Sequence, residues 1–151
     1  MSLRLRDYAP NDFDAIWQLD QICFAEGIAY SRDDMRMYLA LRSSFCILAE
    51  SDGKLAGFTI VDSRPPRHGY VVTIDVAPEA RRLGVASALL AETEKRLRQQ
   101  GSPGIRLEVA VDNQPAIGFY KHHGFNEIGL KPGYYNGHLD ALSMKKELLA
   151  K

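Results

Sequence analysis

The sequence predicts an α/β fold, a single domain over residues 1–151 with a mixed sheet and helices on both faces. Three observations carry that expectation. Two strand-like runs, 45–50 and 55–62, are joined by Ser51-Asp52-Gly53-Lys54, whose Asp-Gly pair signals a hairpin. Two later segments, 70–100 and 105–124, each read as a strand, a turn and an amphipathic helix. The elements run β, α, α, three strands, then α, β, α, β, β, with no repeat, low-complexity tract or dividing linker.

In chain order, Leu3 and Leu5 alternate with Arg4 and Arg6 as a short half-buried strand. Asn11 or Asp12 is placed to cap a helix with apolar positions Phe13, Ile16, Leu19, Ile22 and Cys23, ending near Ala25-Glu26-Gly27. Ser31, with Asp34 three residues on, opens a second helix whose apolar face holds Met35, Tyr38, Leu39 and Leu41. Between these helices FAEGIAY (24–30) is either a plain connector or the wall of a substrate cleft. After the hairpin, Arg64-Pro65-Pro66 breaks the chain. Val71, Val72, Thr73, Ile74 and Val76 form a β-branched run suited to a central strand buried on both faces. The next helix spaces Ala86, Leu89, Leu90, Thr93 and Leu97 and stops at Gly101. A fifth strand, 105–111, leads to a helix capped by Asn113, with Ala116, Ile117, Phe119 and Tyr120, closing at Gly124. Strands 125–130 and 141–147, separated by KPGYYNGHLD, complete the order.

The stretch with the clearest chemistry lies between the central strand and its helix: Arg81-Arg82-Leu83-Gly84-Val85-Ala86. The first amides of a helix lack intrahelical acceptors, and the macrodipole adds partial positive charge there. Gly84 and Ala86 let a ligand approach the backbone, and two arginines stand beside it. These features suit a phosphate or pyrophosphate.

Lysine plus arginine balances aspartate plus glutamate at 19 each, which argues against bulk nucleic-acid binding. No apolar run is long enough to span a bilayer, and residues 1–10 read as a strand rather than a signal peptide. Cys23 and Cys46 have no zinc or redox spacing and are expected as reduced core residues of a cytoplasmic protein. His68, His122, His123 and His138 show no metal spacing, so no metal is expected. A nucleotide-binding domain ranks low, because the loop lacks G-x-G-x-x-G and the Walker lysine.

The residues resemble the GNAT superfamily of acetyltransferases. The family's acetyl-CoA signature, Gln/Arg-x-x-Gly-x-Gly/Ala, is matched by Arg81-x-x-Gly84-x-Ala86, after a strand ending Asp75-Val76-Ala77-Pro78. A second block, LEVAVDNQPAIGFYKHHGF (107–125), is similar to the family's strand–Asn–helix–Tyr–Gly-Phe segment. The run GYVVTIDV (69–76) and the late Tyr134-Tyr135…Asp140-Ala141…Met144 look like the protein N-terminal (Nα) acetyltransferase branch, which includes the bacterial ribosomal-protein alanine acetyltransferases. The departure is the short tip Asn136-Gly137-His138-Leu139 after the tyrosine pair.

The resemblance implies a GNAT-like domain with a mixed, mostly antiparallel sheet of about seven strands and four helices. It implies acetyl transfer from acetyl-CoA to a primary amine by direct attack in a ternary complex. By resemblance, acetyl-CoA lies along Ile74, Asp75 and Val76 and on the amides of Arg82, Leu83, Gly84, Val85, Ala86 and Ser87, beside Arg81 and Asn113. Glu108 stands where the alanine-acetylating enzymes carry a general base; otherwise it is a solvated strand carboxylate. If Leu107 and Val109 face one side of the sheet, Glu108 faces the other. Tyr70 matches a second base or water holder, and Tyr120 the general acid that protonates the leaving thiolate. Ile28, Tyr30, Tyr134 and Tyr135 are assigned to the acceptor, with one of the adjacent tyrosines expected to line the cleft.

An α-amine has a reference pKa of about 7.7–8.0 against about 10.4 for lysine, so a modest carboxylate base suits a protein or peptide N-terminus. A small amine (polyamine, amino acid or drug) is the alternative acceptor, and a non-catalytic CoA-binding module is a third reading. The protein is expected as a monomer or homodimer, without nucleic-acid or membrane partners.

Overall fold

The computed structural model describes residues 2–149. Its strands are β1 (Leu3–Asp7), β2 (Ser44–Ser51), β3 (Lys54–Asp62), β4 (Gly69–Val76), β5 (Gly104–Ala110), β6 (Asn126–Tyr135) and β7 (Leu139–Glu147). They form one sheet in the order β1-β2-β3-β4-β5-β7-β6. Every neighbouring pair is antiparallel except β4 with β5. The β-branched run thus lies at the centre of the sheet, as its composition requires for a strand covered on both faces.

Helices α1 (Phe13–Cys23), α2 (Arg32–Ala40), α3 (Val85–Gln99) and α4 (Gln114–His122) cover the two faces. Two glycines show how closely α3 sits. A Cβ on Gly57 of β3 would lie 2.9 Å from Val85 and 2.5 Å from the Asp75 carbonyl; one on Gly69 of β4 would lie 2.5 Å from Leu97. On the same face Ile117 and Tyr120 of α4 join Leu90 and Leu97 over Ile105, Leu107 and Val109. Side chains alternate along a strand, so Phe58 and Ile60 point the other way, toward Phe13, Ile16, Leu19 and Met35 of α1 and α2.

Several local expectations hold. Ser31 accepts the Asp34 amide at 3.1 Å as the α2 cap. Leu89, Thr93 and Leu97 of α3 are fully buried, and Gly101 ends the helix at φ +80°. Others are corrected. Asp12 precedes α1 without capping it, because its carboxylate is taken by Arg6 at 2.8 Å and by the Ala9 amide at 2.8 Å. α1 stops at Cys23, before Gly27, and Ile22 is 66% exposed instead of buried.

The segment KPGYYNGHLD does not separate two strands; most of it is strand. β6 continues through Lys131–Tyr135, with a register shift between Lys131 and Tyr135 that accommodates Pro132 and Gly133. The Gly133 amide leaves the ladder and donates to Asp140 Oδ1 at 2.8 Å. Asn136 and Gly137, at φ 53° and 73°, then make the tight turn.

Substituting Gly57→Ala forces its new methyl into the Asp75 carbonyl and Val85. We expect a loss of about 1–3 kcal/mol of stability, as for overpacking in a closed core. Urea denaturation measures it, and an unchanged midpoint contradicts the close approach of α3.

Candidate active site

Strands β4 and β5 pair at only two positions, Gly69 with Ile105 and Tyr70 with Arg106. Beyond them the strands part: β5 keeps its ladder with β7, and β4 keeps its ladder with β3. Residues 71–76 and 107–110 therefore flank a wedge through the middle of the sheet. It opens into a cleft of about 980 Å³, walled by both strands, the start of α3, the start of α4 and the segment 23–30. The parted edge of β4 presents peptide groups to side chains in place of a strand. The Val72 carbonyl accepts the Tyr30 hydroxyl at 3.1 Å, and the Val76 carbonyl accepts the Cys23 thiol at 3.3 Å.

The end of the cleft on the α3–α4 side is built from backbone. Arg82 and Gly84 both take left-handed conformations, at φ 65° and 81°, which aim successive amides outward before α3 starts. Among the described residues, no protein acceptor takes the amides of Arg82, Leu83, Gly84, Val85, Ala86 or Ser87. A Cβ at Gly84 would meet nothing within 4 Å, so the approach is open. Unclaimed donors at a helix start, with arginines alongside, fit the pyrophosphate of acetyl-CoA. Ile74, Val76, Arg81, Arg82, Gly84, Val85, Ala86, Ser87, Asn113 and Tyr120 all line the cleft. Leu83 and Asp75 do not: Leu83 is 48% exposed, and the Asp75 side chain turns to the α1 face of the sheet. Asn113 also caps α4, accepting the Ala116 amide at 3.3 Å.

The α1–α2 side holds the titratable groups. Glu108 points away from buried Leu107 and Val109, as alternation predicts, but it is not solvated: its side chain is 3% exposed. Its Oε1 accepts the Tyr70 hydroxyl at 2.5 Å. Its Oε2 accepts Ser143 Oγ at 2.9 Å and lies 3.3 Å from Lys131 Nζ. Burial, and then the bond to Glu108, push the Tyr70 phenol far above its ordinary range. The Tyr134 hydroxyl stands 3.4 Å from that of Tyr70, extending the chain outward. Of the two adjacent tyrosines, Tyr135 lines the cleft, its phenol pushed up to about 12 by burial. Ile28 and Tyr30 line the same wall. Tyr120 reaches the cleft from α4, its ring packed edge-on against Phe119 and Phe125. Burial raises its phenol above the ordinary range, and it donates to no described residue.

The sequence reading missed Ser143, Lys131 and Asp20. The first two lie on β7 and β6, and only the pairing of β5 with β7 and of β7 with β6 brings them to the carboxylate. Asp20 left a signal: it is a carboxylate set within the apolar stripe of α1, and it is fully buried. Among the described residues no group of three or more His, Cys, Asp or Glu is arranged to hold a metal ion. No helix among them is long and apolar enough to cross a membrane.

Comparison with known proteins bears on this cleft. Residues 13–125 match the model of the acetyltransferase (GNAT) family. An N-alpha-acetyltransferase of Sulfurisphaera tokodaii is 30% identical, over 96% of this chain and 93% of that protein. The ribosomal-protein-S18-alanine N-acetyltransferase of Escherichia coli superposes with a TM-score of 0.89 at 24% identity, over 99% of this chain and 96% of that one. A nourseothricin acetyltransferase superposes with a TM-score of 0.81 at 28% identity, over 99% of this chain and 100% of that one. With the signature loop at the mouth of a parted β4–β5 pair, these matches identify the chain as a member of the GNAT family, an acetyl-CoA-dependent N-acetyltransferase.

Proposed function

We propose that the protein acetylates the N-terminal α-amine of a protein or peptide, with Glu108 as general base and Tyr120 as general acid. The observation that carries this reading is the state of Glu108: a buried carboxylate held by two hydroxyls and an ammonium at the point where β4 and β5 part. Those partners hold the carboxylate in one orientation facing the cleft, and an α-amine, with a reference pKa of about 7.7–8.0 against about 10.4 for lysine, is the acceptor that asks least of a base. The similarity to the Sulfurisphaera tokodaii N-alpha-acetyltransferase supports the same acceptor class. The 28% identity to a nourseothricin acetyltransferase favours the second reading, a small-molecule amine. Free Cys23 and Cys46 are consistent with a cytoplasmic protein.

Bound acetyl-CoA supplies the acetyl group and a thiolate leaving group. The protein's part is to hold, orient and move protons. The amides of residues 82–87 receive the pyrophosphate, and the parted edge of β4 at Ile74 and Val76 runs beside the pantetheine arm. Ile28, Tyr30 and Tyr135 flank the acceptor. Glu108 takes the ammonium proton, directly or through a water. Tyr70 stays protonated and fixes the Glu108 carboxylate, so base chemistry falls to Glu108 alone. Tyr120 keeps its proton at neutral pH and donates it to the departing sulfur.

Incubation with acetyl-CoA and a panel of N-terminal peptides, internal-lysine peptides and small amines tests the acceptor. Mass spectrometry is expected to place the acetyl group on the α-amine; labelling of small amines alone overturns that reading. Tyr120→Phe should lower kcat by roughly 10²-fold or more while acetyl-CoA affinity persists, and an unchanged kcat removes the acid assignment. Glu108→Gln should lose most rate at low pH, where few amines are neutral, and approach the parent as pH nears about 8. A parallel pH–rate profile contradicts Glu108 as base. Gly84→Trp should cut acetyl-CoA affinity by at least about tenfold in titration calorimetry, because its ring fills the approach to the amides. Unaltered binding by the folded variant refutes the loop as the pyrophosphate site.

A further inference from the structure

Two buried carboxyl groups take no part in the chemistry above. Asp20 of α1 is fully buried and Asp75 of β4 is 1% exposed. Their oxygens divide in a regular way. Asp20 Oδ2 accepts the Tyr30 amide at 2.7 Å, and Asp75 Oδ1 accepts the Thr73 hydroxyl at 2.5 Å. The remaining two, Asp20 Oδ1 and Asp75 Oδ2, are buried without any donor, and the two carboxyls lie close enough for each to act on the titration of the other. No cation is within ion-pair distance of either carboxyl among the described residues. The titratable groups near enough to feel their charge are Cys23 and Tyr30 from the α1 side, Cys46 of β2 and, across the sheet, Tyr120 of α4, with Arg81 beside Cys23. Two carboxylates in contact in a dry interior cannot both be charged; a single proton between the orphan oxygens satisfies both.

The bridge is tied to the acceptor wall. Tyr30 is held at three points: its amide on Asp20, its carbonyl under Trp17 Nε1 at 3.0 Å and Gln21 Nε2 at 2.7 Å, and its hydroxyl on the Val72 carbonyl. Asp75 sits between Ile74 and Val76, which line the cleft. We infer that Asp20 and Asp75 are positioning residues: they share one proton in a bridge that fastens the wall formed by residues 24–30 to β4 and so sets the width of the acceptor end of the cleft. This assignment rests on the reading of that wall as the acceptor's. Loss of the proton leaves two like charges buried in contact and drives α1 from β4. Burial raises both carboxyls above the ordinary range, so the folded chain holds this proton more tightly than the unfolded chain. The stability it contributes is complete below the ordinary carboxyl range and declines as pH rises toward the folded value.

Substitution Asp20→Asn makes the bridge permanent. The amide oxygen accepts the Tyr30 amide, and the amide nitrogen donates to Asp75 without a titrating proton. The test combines carbon-13 carboxyl resonances, Trp17 emission and kinetics. Trp17 is the single tryptophan and donates to Tyr30, so it reports the wall without any acceptor. In the wild type, one carboxyl of the pair is expected to remain protonated near neutral pH. Trp17 emission should shift as that proton leaves at alkaline pH, and the Asp20→Asn variant should show no such shift. With an alanine-initiated peptide, Asp20→Ala should raise the peptide KM by roughly tenfold, since a buried amide loses its acceptor, while the KM for acetyl-CoA stays put.

Two charged carboxylates at neutral pH overturn the inference, as does an Asp20→Asn variant whose Trp17 titrates like the wild type. An equal rise in both KM values overturns it too, as the mark of a merely structural defect. If the alanine variant does not fold, the asparagine variant decides alone. If the peptide is not acetylated, the acceptor reading fails, and the carboxyl and Trp17 titrations still decide whether the bridge exists.

Discussion

The parting of β4 from β5 is the constraint on which the rest of the molecule depends. Parallel strands normally stay paired because each unpaired peptide group in a dry interior carries a free-energy cost. Here the ladder stops after Tyr70 and Arg106, and the groups it releases are met by Tyr30, by Cys23 and by the cleft. Each strand is secured from its outer side, β4 by β3 and β5 by β7. The wedge therefore stays open without loosening the sheet. It connects the two faces, so the helix-start amides on one side and the Glu108 carboxylate on the other address one space.

The two ends differ in electrostatic character. The end at α3 offers unclaimed backbone donors and two arginines, a setting for an anion. The other end is aromatic and carries groups whose protonation is fixed by burial. Tyr30, Tyr70 and Tyr135 there, and Tyr120 on α4, are all pushed above the ordinary phenol range, so each is a donor at neutral pH. Among them Glu108 is held by the Tyr70 and Ser143 hydroxyls and stands 3.3 Å from the Lys131 ammonium.

What the sequence made legible follows from how local each feature is. The loop 81–86, its helix and the orientation of Glu108 depend on near neighbours and on strand alternation, and they stand where the reading put them. The sequence pattern places KPGYYNGHLD between two strands, whereas a register shift and the Asp140 side chain accommodate Pro132 and Gly133 within β6. Ser143 and Lys131 escaped because cross-strand register brings them to Glu108 from distant parts of the chain. Ile22 was expected inside the core on helical spacing alone; α1 rolls so that Asp20 turns inward, toward Asp75.

If the wedge between β4 and β5 is the cofactor's seat, acetyl-CoA enters it from the α3 side and covers the amides there. Amide hydrogen exchange with and without acetyl-CoA measures this directly. New protection is expected at the amides of residues 82–87 and along β4 at Ile74 and Val76, with little change along β6. Protection confined to other elements, with residues 82–87 exchanging as fast as before, places the cofactor elsewhere.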